Sequence, residues 1–325
     1  MDLVAPGAEP LDVTRFDIES AAERLHGRIR RTPVLDLEPG AFGTDERLTL
    51  KLELLQHTGS FKARGAFNRM LTADLDASGV LAASGGNFGL AVAYAAHTLG
   101  HPAEIFVPAS SPAMKIDRIR GWGAQVHVVP GYYAEAYAAC EERAWQTGAA
   151  FLHPYDQPAV VAGQGTLGRE LDEQVPELDT VLVAVGGGGL IAGIAAWFGS
   201  TVRVVGVEPE RCPTLATALE AGEPVDVEVG GVAADSLGAG RAGDIAVRIA
   251  RVHVDRVVLV ADEAIVAARR AAWADVRLAV EPGAATPIAA LRSRAYVPEP
   301  GERVGVVVCG ANADPADLVE PVDPV

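Results

Sequence analysis

Cysteine is scarce in this chain of 325 residues: Cys140, Cys212 and Cys309 are the only three. Three scattered thiols make no disulfide framework, and none forms a CxxC pair suited to metal or redox work, so a reducing compartment fits. Basic residues are also in deficit, 27 Lys and Arg against 43 Asp and Glu, for a net charge of −16. That balance favours solubility and argues against a phosphate-backbone or anionic-membrane partner. No apolar run reaches the length of a membrane span, and the opening MDLVAPGAEPLDVTRFD has neither a basic n-region nor an apolar h-region. The expectation is a cytoplasmic protein that binds neither nucleic acid nor membrane. No repeat of fixed period is evident.

The chain instead alternates short β-branched runs with amphipathic helical stretches. Strands are predicted near 48–54, 80–84, 103–108, 124–129, 150–153, 180–185, 203–208, 256–260 and 303–309, with helices filling most gaps. Thr14 followed by Asp17 reads as a capping box for a first helix that ends before the RRTP turn at Arg30 to Pro33. Loop-like shifts fall at 40–46, at Gly222 to Gly243 and in the Pro-rich tail from Pro315. Apolar strands alternating with helices imply parallel sheets covered on both faces, so the fold class is α/β. The length suits one large or two moderate domains.

Three segments carry the chemistry. In KLELLQHTGSFKARGA, Lys62 is predicted just after a strand and at the opening of a helix. The positive helix end and burial beside Phe61 both disfavour its charge, which makes the amine a nucleophile near neutral pH. In VLAASGGNFGLAVAYAAHTLG a strand runs through Ser84, Gly85, Gly86 and Asn87 into a helix, exposing backbone N–H groups that suit a carboxylate. In VLVAVGGGGLIAGIAAW, Gly186, Gly187, Gly188 and Gly189 leave a bare backbone that can cradle a phosphate. The last segment has a rival reading. Gly187, Gly189 and Ala192 satisfy GxGxxA, and Glu208 ends the next strand about 20 residues on, as a dinucleotide site requires. Taken alone, that match favours a dinucleotide, although a dinucleotide leaves Lys62, the SGGN turn and the VVVCGAN run at 306–312 without a purpose.

These strings closely resemble the fold-type II pyridoxal-phosphate (PLP) enzymes, specifically the serine/threonine dehydratase and serine racemase branch, over about Arg30 to Asn312. The resemblance implies two parallel-sheet α/β domains with helices on both faces, a large one of residues 1–75 and 156–325 and a small inserted one of 76–155. It implies that Lys62 carries PLP covalently and acts as the catalytic base. It further implies a cofactor set of Phe61, Lys62, Asn87, Gly186, Gly187, Gly188, Gly189, Leu190 and Cys309, and a substrate loop of Ser84, Gly85, Gly86, Asn87 and Phe88. Cys309 stands where the branch places a neutral partner for the pyridine nitrogen, which favours elimination over long-lived charge on the ring. HPYDQPAVVAGQGTLGREL, with Gln164 and Thr166, and AVEPGAA, with Glu281, match segments around the family's cleft; a helix start and an ordinary cap or surface charge are the alternatives. AADSLGAG carries Ser236 where the branch has glycine.

Departures from the branch matter too. In EPERCPT, Thr214 stands where a second metal-ligating acid is expected, so no metal site is expected. Gly85 replaces a serine of the racemases, so little racemisation is expected. Phe88 replaces the usual histidine and either packs in the core or lines an apolar pocket. The implied function is an ammonia-lyase acting on a β-hydroxy amino acid such as L-serine or L-threonine, as a homodimer. A β-replacement enzyme, a racemase and a silent PLP- or nucleotide-binding protein are the alternatives; the retained lysine counts against the silent protein, and SGGNF lacks the threonine-rich turn usual in β-replacement.

Overall fold

A computed structural model describes residues 12–318; the opening at 1–11 and the end of the Pro-rich tail, 319–325, lie outside them. In chain order the elements are α1 (Arg15–Leu25), β1 (Val34–Leu37), β2 (Leu48–Lys51), α2 (Lys62–Leu71), β3 (Val80–Ala83), α3 (Asn87–Leu99), β4 (Ala103–Pro108), α4 (Ala113–Arg120), β5 (Gln125–Val129), α5 (Tyr133–Thr147) and β6 (Ala150–Phe151). They continue with α6 (Pro158–Gln174), β7 (Thr180–Ala184), α7 (Gly189–Phe198), β8 (Arg203–Pro209), α8 (Thr214–Ala221), α9 (Ala234–Leu237), α10 (Asp244–His253), β9 (Arg256–Val260), α11 (Asp262–Val276), α12 (Pro282–Arg292) and β10 (Val304–Val307). The capping box of α1 forms as expected, with Asp17 Oδ2 accepting from Thr14 N at 2.8 Å.

The strands make two sheets. One has six strands in the order β1-β2-β10-β7-β8-β9, the other four in the order β5-β4-β3-β6. The fold is α/β, with β3, β7 and β10 buried along their whole length, as runs such as TVLVA demand when helices cover both faces. Two expectations need correction. β1 was not anticipated, and it pairs antiparallel with β2, so the larger sheet is not wholly parallel. The link from Leu37 to Leu48 is too short for the crossover that a parallel pair requires. The strand predicted over 48–54 stops at Lys51, and 3-10 turns at Glu53–Leu55 and His57–Gly59 separate it from Lys62.

Just beyond that stop the chain enters a buried charge cluster. Glu53 turns inward to pair with Arg64, whose Nε and Nη2 donate to its two carboxylate oxygens at 2.6 and 2.9 Å. Arg64 Nη2 also donates to Glu170 at 3.1 Å, and Glu170 accepts from Lys51 Nζ at 2.5 Å. All four side chains are buried, and Thr32, Thr166 and Gln174 satisfy the remaining donors and acceptors. Two cations thus balance two anions in a cluster that joins the end of β2 to α2 and α6. Burial lowers the Lys51 ammonium below its usual range, against the pull of Glu170; the guanidinium of Arg64 and the ammonium of Lys51 hold the Glu170 carboxyl below the carboxylate range despite its burial. Glycines let the helices approach closely: a Cβ on Gly163 would lie 2.7 Å from Arg64 O, and one on Gly193 2.5 Å from Gly165 N. α2, and with it Lys62, is thereby seated on α6, which in turn packs on α7.

Candidate active site

Lys62 is the first residue of α2, held by the segment that follows β10 and contains Cys309. Phe61 N donates to Cys309 O at 3.1 Å, Leu54 N to Val308 O at 2.8 Å and Ala311 N to Gly59 O at 2.9 Å. The lysine loop is therefore laced to the end of β10. Lys62 Nζ donates to Pro154 O at 2.9 Å and lies 5.0 and 5.6 Å from the ring centroids of Phe61 and Phe88. Burial lowers its pKa to about 8, against the pull of the nearby Glu281 carboxyl. At pH 7 about a tenth of an amine with that pKa is neutral, far more than for an ordinary lysine, which makes it available as a nucleophile or base.

The amine opens onto a cavity of about 300 Å³, whose wall includes Lys62, Ser84 to Phe88, Tyr155, Gly186, Gly187 and the turn from Ala234 to Gly240. On the side of the four-stranded sheet, β3 delivers the SGGN turn. Gly86 caps α3 without a side-chain hydrogen bond, so the first-turn N–H groups lack a side-chain acceptor and are free for an anion. Phe88 is buried against the core around β3 and also borders the cavity, its ring centroid 5.6 Å from the lysine amine. Asn87 is fixed rather than free. Its Nδ2 donates to Glu281 Oε1 and Oε2 at 2.8 and 3.1 Å, and its Oδ1 accepts from Asn312 Nδ2 at 2.8 Å. Asn312 in turn accepts from Arg118 Nη1 at 2.7 Å.

Glu281 precedes α12 but is buried and makes no side-chain cap, which removes the surface-charge alternative. Burial raises its pKa to about 7, against hydrogen bonds from Asn87 and Asn312 N and the charge of Lys115. Sequence reasoning did not join Asn87, Glu281 and Asn312, which lie far apart in the chain and meet only when α3, α12 and the end of β10 converge.

On the opposite side, β7 delivers Gly186 to Gly189. Added Cβ atoms would lie 3.0 Å from Leu237 O at Gly186, 2.4 Å from the Tyr155 ring at Gly187, 2.5 Å from Ala246 at Gly188 and 2.8 Å from Tyr155 O at Gly189. Gly188 also has φ +88°, a left-handed conformation that glycine adopts without strain. The result is a bare backbone at the start of α7, a helix with no side-chain cap. A phosphate group fits such a cradle. Gly188, Gly189, Leu190, Phe61 and Cys309 lie outside the cavity wall. Cys309 and Leu190 are buried in the core, and burial raises the Cys309 thiol well above its usual pKa, so it is neutral.

The dinucleotide alternative fails at Glu208. Its carboxylate is wholly buried and accepts from Leu215 N at 2.7 Å and Ala216 N at 2.9 Å, capping α8. Burial raises it to about 7, and no face is left for a ribose. Thr214 donates to Ala239 O at 2.8 Å. Among the described residues no group of three His, Cys, Asp or Glu side chains is placed to hold a metal ion. Gln164 and Thr166 lie within α6 rather than at its start and are not in the cavity wall; Thr166 accepts from Arg64 Nη1 at 3.2 Å. Ser236 Oγ lies in the wall and accepts from Gly283 N at 3.0 Å, tying α9 to α12. Lys115 of α4 forms an ion pair with Asp235 of α9 at the cavity, and neither residue was anticipated.

Comparison with known proteins agrees with this geometry. The family described as "Pyridoxal-phosphate dependent enzyme" matches residues 25–310. The chain is 39% identical to an L-threonine ammonia-lyase of Geobacter sulfurreducens, over 91% of this chain and 75% of that one. It is 37% identical to a phenylserine dehydratase of Ralstonia pickettii, over 94% of this chain and 96% of that one. Among solved structures, maize serine racemase superposes with a TM-score of 0.86 at 31% identity, covering 93% of this chain and 94% of that one. The T.th. threonine deaminase superposes with a TM-score of 0.85 at 35% identity, covering 93% and 99%.

Proposed function

The chain belongs to the pyridoxal-phosphate dependent enzymes, and we propose that it is an ammonia-lyase converting a β-hydroxy amino acid, such as L-serine or L-threonine, to a 2-oxo acid and ammonia. The observation that carries this reading is the meeting of three features at one cavity: the Lys62 amine, the uncapped start of α3 and the glycine cradle before α7. Bound pyridoxal phosphate supplies an electron sink that acidifies the α C–H of an amino acid joined to it. Lys62 would hold the cofactor, and Gly186, Gly187, Gly188 and Gly189, with Leu190 behind them, would hold its phosphate. Cys309, with its neutral thiol, would face the ring nitrogen, and Asn87, oriented by Glu281 and Asn312, would face the ring hydroxyl. Phe61 and Phe88 shield the amine from water.

The substrate carboxylate is assigned to Ser84, Gly85, Gly86, Asn87 and Phe88, through the first N–H groups of α3. Lys62, whose amine opens onto the cavity, would take the α-proton. Loss of the β-hydroxyl then leaves an enamine that water hydrolyses to the 2-oxo acid and ammonia. The test is to incubate the purified holoprotein with β-hydroxy amino acids and quantify both products.

The same reading assigns residues 76–155 to a small domain and residues 1–75 and 156–325 to a large one. It is supported by the origin of β3 to β6 within the first span and of the other strands outside it; limited proteolysis that never cuts near either boundary would speak against it. No helix among the described residues is long and apolar enough to cross a membrane. A cytoplasmic homodimer that takes a small-molecule amino acid is the assembly we propose, from the family resemblance, the acidic charge and the three free thiols. A monomeric mass in light scattering would refute the dimer.

A further inference from the structure

Gly85 has no side chain, but the space beside it is filled. A Cβ built on Gly85 would lie 2.1 Å from Ser111 Oγ and 2.9 Å from Ser111 Cβ, with Val107 Cβ next at 3.7 Å. Ser111 belongs to the turn between β4 and α4, anchored by its own N–H to Pro108 O at 2.9 Å. β3 and β4 are hydrogen-bonded neighbours, so the ends of both strands face the same part of the cavity, and Ser111 lies in its wall. Its hydroxyl makes no hydrogen bond to the protein among the described residues. By contrast, Ser84 Oγ accepts from Gly86 N at 3.3 Å and Ser236 Oγ from Gly283 N at 3.0 Å.

We propose that Ser111 is a substrate-binding residue, whose hydroxyl donates to the carboxylate held at the start of α3. Gly85 immediately precedes Gly86, the cap of α3, so a hydroxyl placed where the side chain of residue 85 would begin lies beside whatever the first N–H groups of that helix hold. An uncommitted O–H there adds a side-chain donor to backbone donors aimed at the same anion. The arrangement also explains why residue 85 is glycine: any side chain would displace the donor contributed by the neighbouring strand end. This inference rests on the proposed ammonia-lyase reading for the identity of the anion, an amino-acid carboxylate, but its steric part is independent of that reading.

The test uses the holoprotein and two variants at Ser111. Ser111→Ala is expected to raise the KM for L-serine or L-threonine roughly 10-fold, the loss of one hydrogen bond to a charged group, with kcat changed less than about 3-fold. Binding of 2-methylserine, which has no α-proton to lose, is expected to weaken by the same factor in calorimetry. That readout needs no turnover, so failure of the lyase reading (no 2-oxo acid formed) is separable from failure of this one. Gly85→Ala alone is expected to lower the melting temperature and abolish binding of 2-methylserine. Adding Ser111→Gly is expected to restore the melting temperature, because it removes both atoms that the new Cβ would strike. Unchanged affinity for 2-methylserine in Ser111→Ala would overturn the proposal, as would a Gly85→Ala defect that Ser111→Gly does not relieve. Contrary to expectation, D-serine formed by the wild type and lost in Ser111→Ala, with affinity unchanged, would also overturn it and make the hydroxyl a proton donor to Cα instead.

Discussion

Replacing Arg64 with methionine tests whether the buried charge cluster holds the lysine-bearing helix. Arg64 lies two residues beyond Lys62 and donates to Glu53 twice, to Glu170 once and to Thr166 once. Methionine fills much of the volume but removes one of two cations, leaving Glu53 and Glu170 to share only Lys51. Breaking a buried ion pair by removing one partner costs about 3–5 kcal/mol, because the remaining charge is left uncompensated. At about 1.5 °C per kcal/mol for a chain of 325 residues, the expected fall in melting temperature is about 4–8 °C. Urea titrations of wild type and variant give the cost directly, and Glu53→Gln combined with Arg64→Met supplies the control. The double variant restores charge balance, with Lys51 against Glu170, so it should cost less than the sum of the two single changes. A loss below about 1 kcal/mol in Arg64→Met, or strict additivity in the double variant, would refute the claim that charge compensation fixes this helix.

The other expectations concern the cavity. With Lys62 lowered to about 8, the rate at which apoprotein attaches pyridoxal phosphate should rise about tenfold per pH unit up to that value and level off above it; a rate still climbing through pH 10 would mean an ordinary lysine. Gly188→Ala, at φ +88° with Ala246 2.5 Å from the new Cβ, should weaken cofactor retention at least 10-fold in dialysis followed by absorbance. Full retention would remove the cradle from the phosphate site.

Much of the fold was legible because its signals are local. β-branched runs such as TVLVA and RVVLV mark β7 and β9, and the capping residues Thr14 and Asp17 mark the start of α1. β1 escaped because VLDL is a short edge strand whose pairing is set by the hairpin-like return to β2. The lysine string and both glycine turns could be read because each holds its residues in one continuous stretch, and the structure brings Lys62, Ser84 to Phe88, Gly186 and Gly187 to one cavity. What escaped depends on contacts between distant segments. Nothing near Gly85 signals Ser111, because their approach follows from β3 lying beside β4. Nothing local marks Lys51, Glu53 and Arg64 as a buried charge cluster, because Glu170 joins them only from α6. Glu208 fell at the spacing expected of a ribose-binding acid, yet its carboxylate caps α8. That role depends on the chain turning back at Pro213, which spacing alone does not report.

The central claim is that Lys62 performs base-catalysed elimination from a β-hydroxy amino acid. It is tested most directly by incubating pyridoxal-phosphate-loaded wild type and Lys62→Ala with L-serine and L-threonine, then quantifying 2-oxo acid and ammonia in the same samples. Wild type is expected to release the two products in equal amounts from at least one of these substrates, with chiral chromatography of residual L-serine showing little D-serine, and Lys62→Ala to release neither above background. Turnover surviving in Lys62→Ala, or a loaded wild type that forms no 2-oxo acid from either substrate, would contradict it.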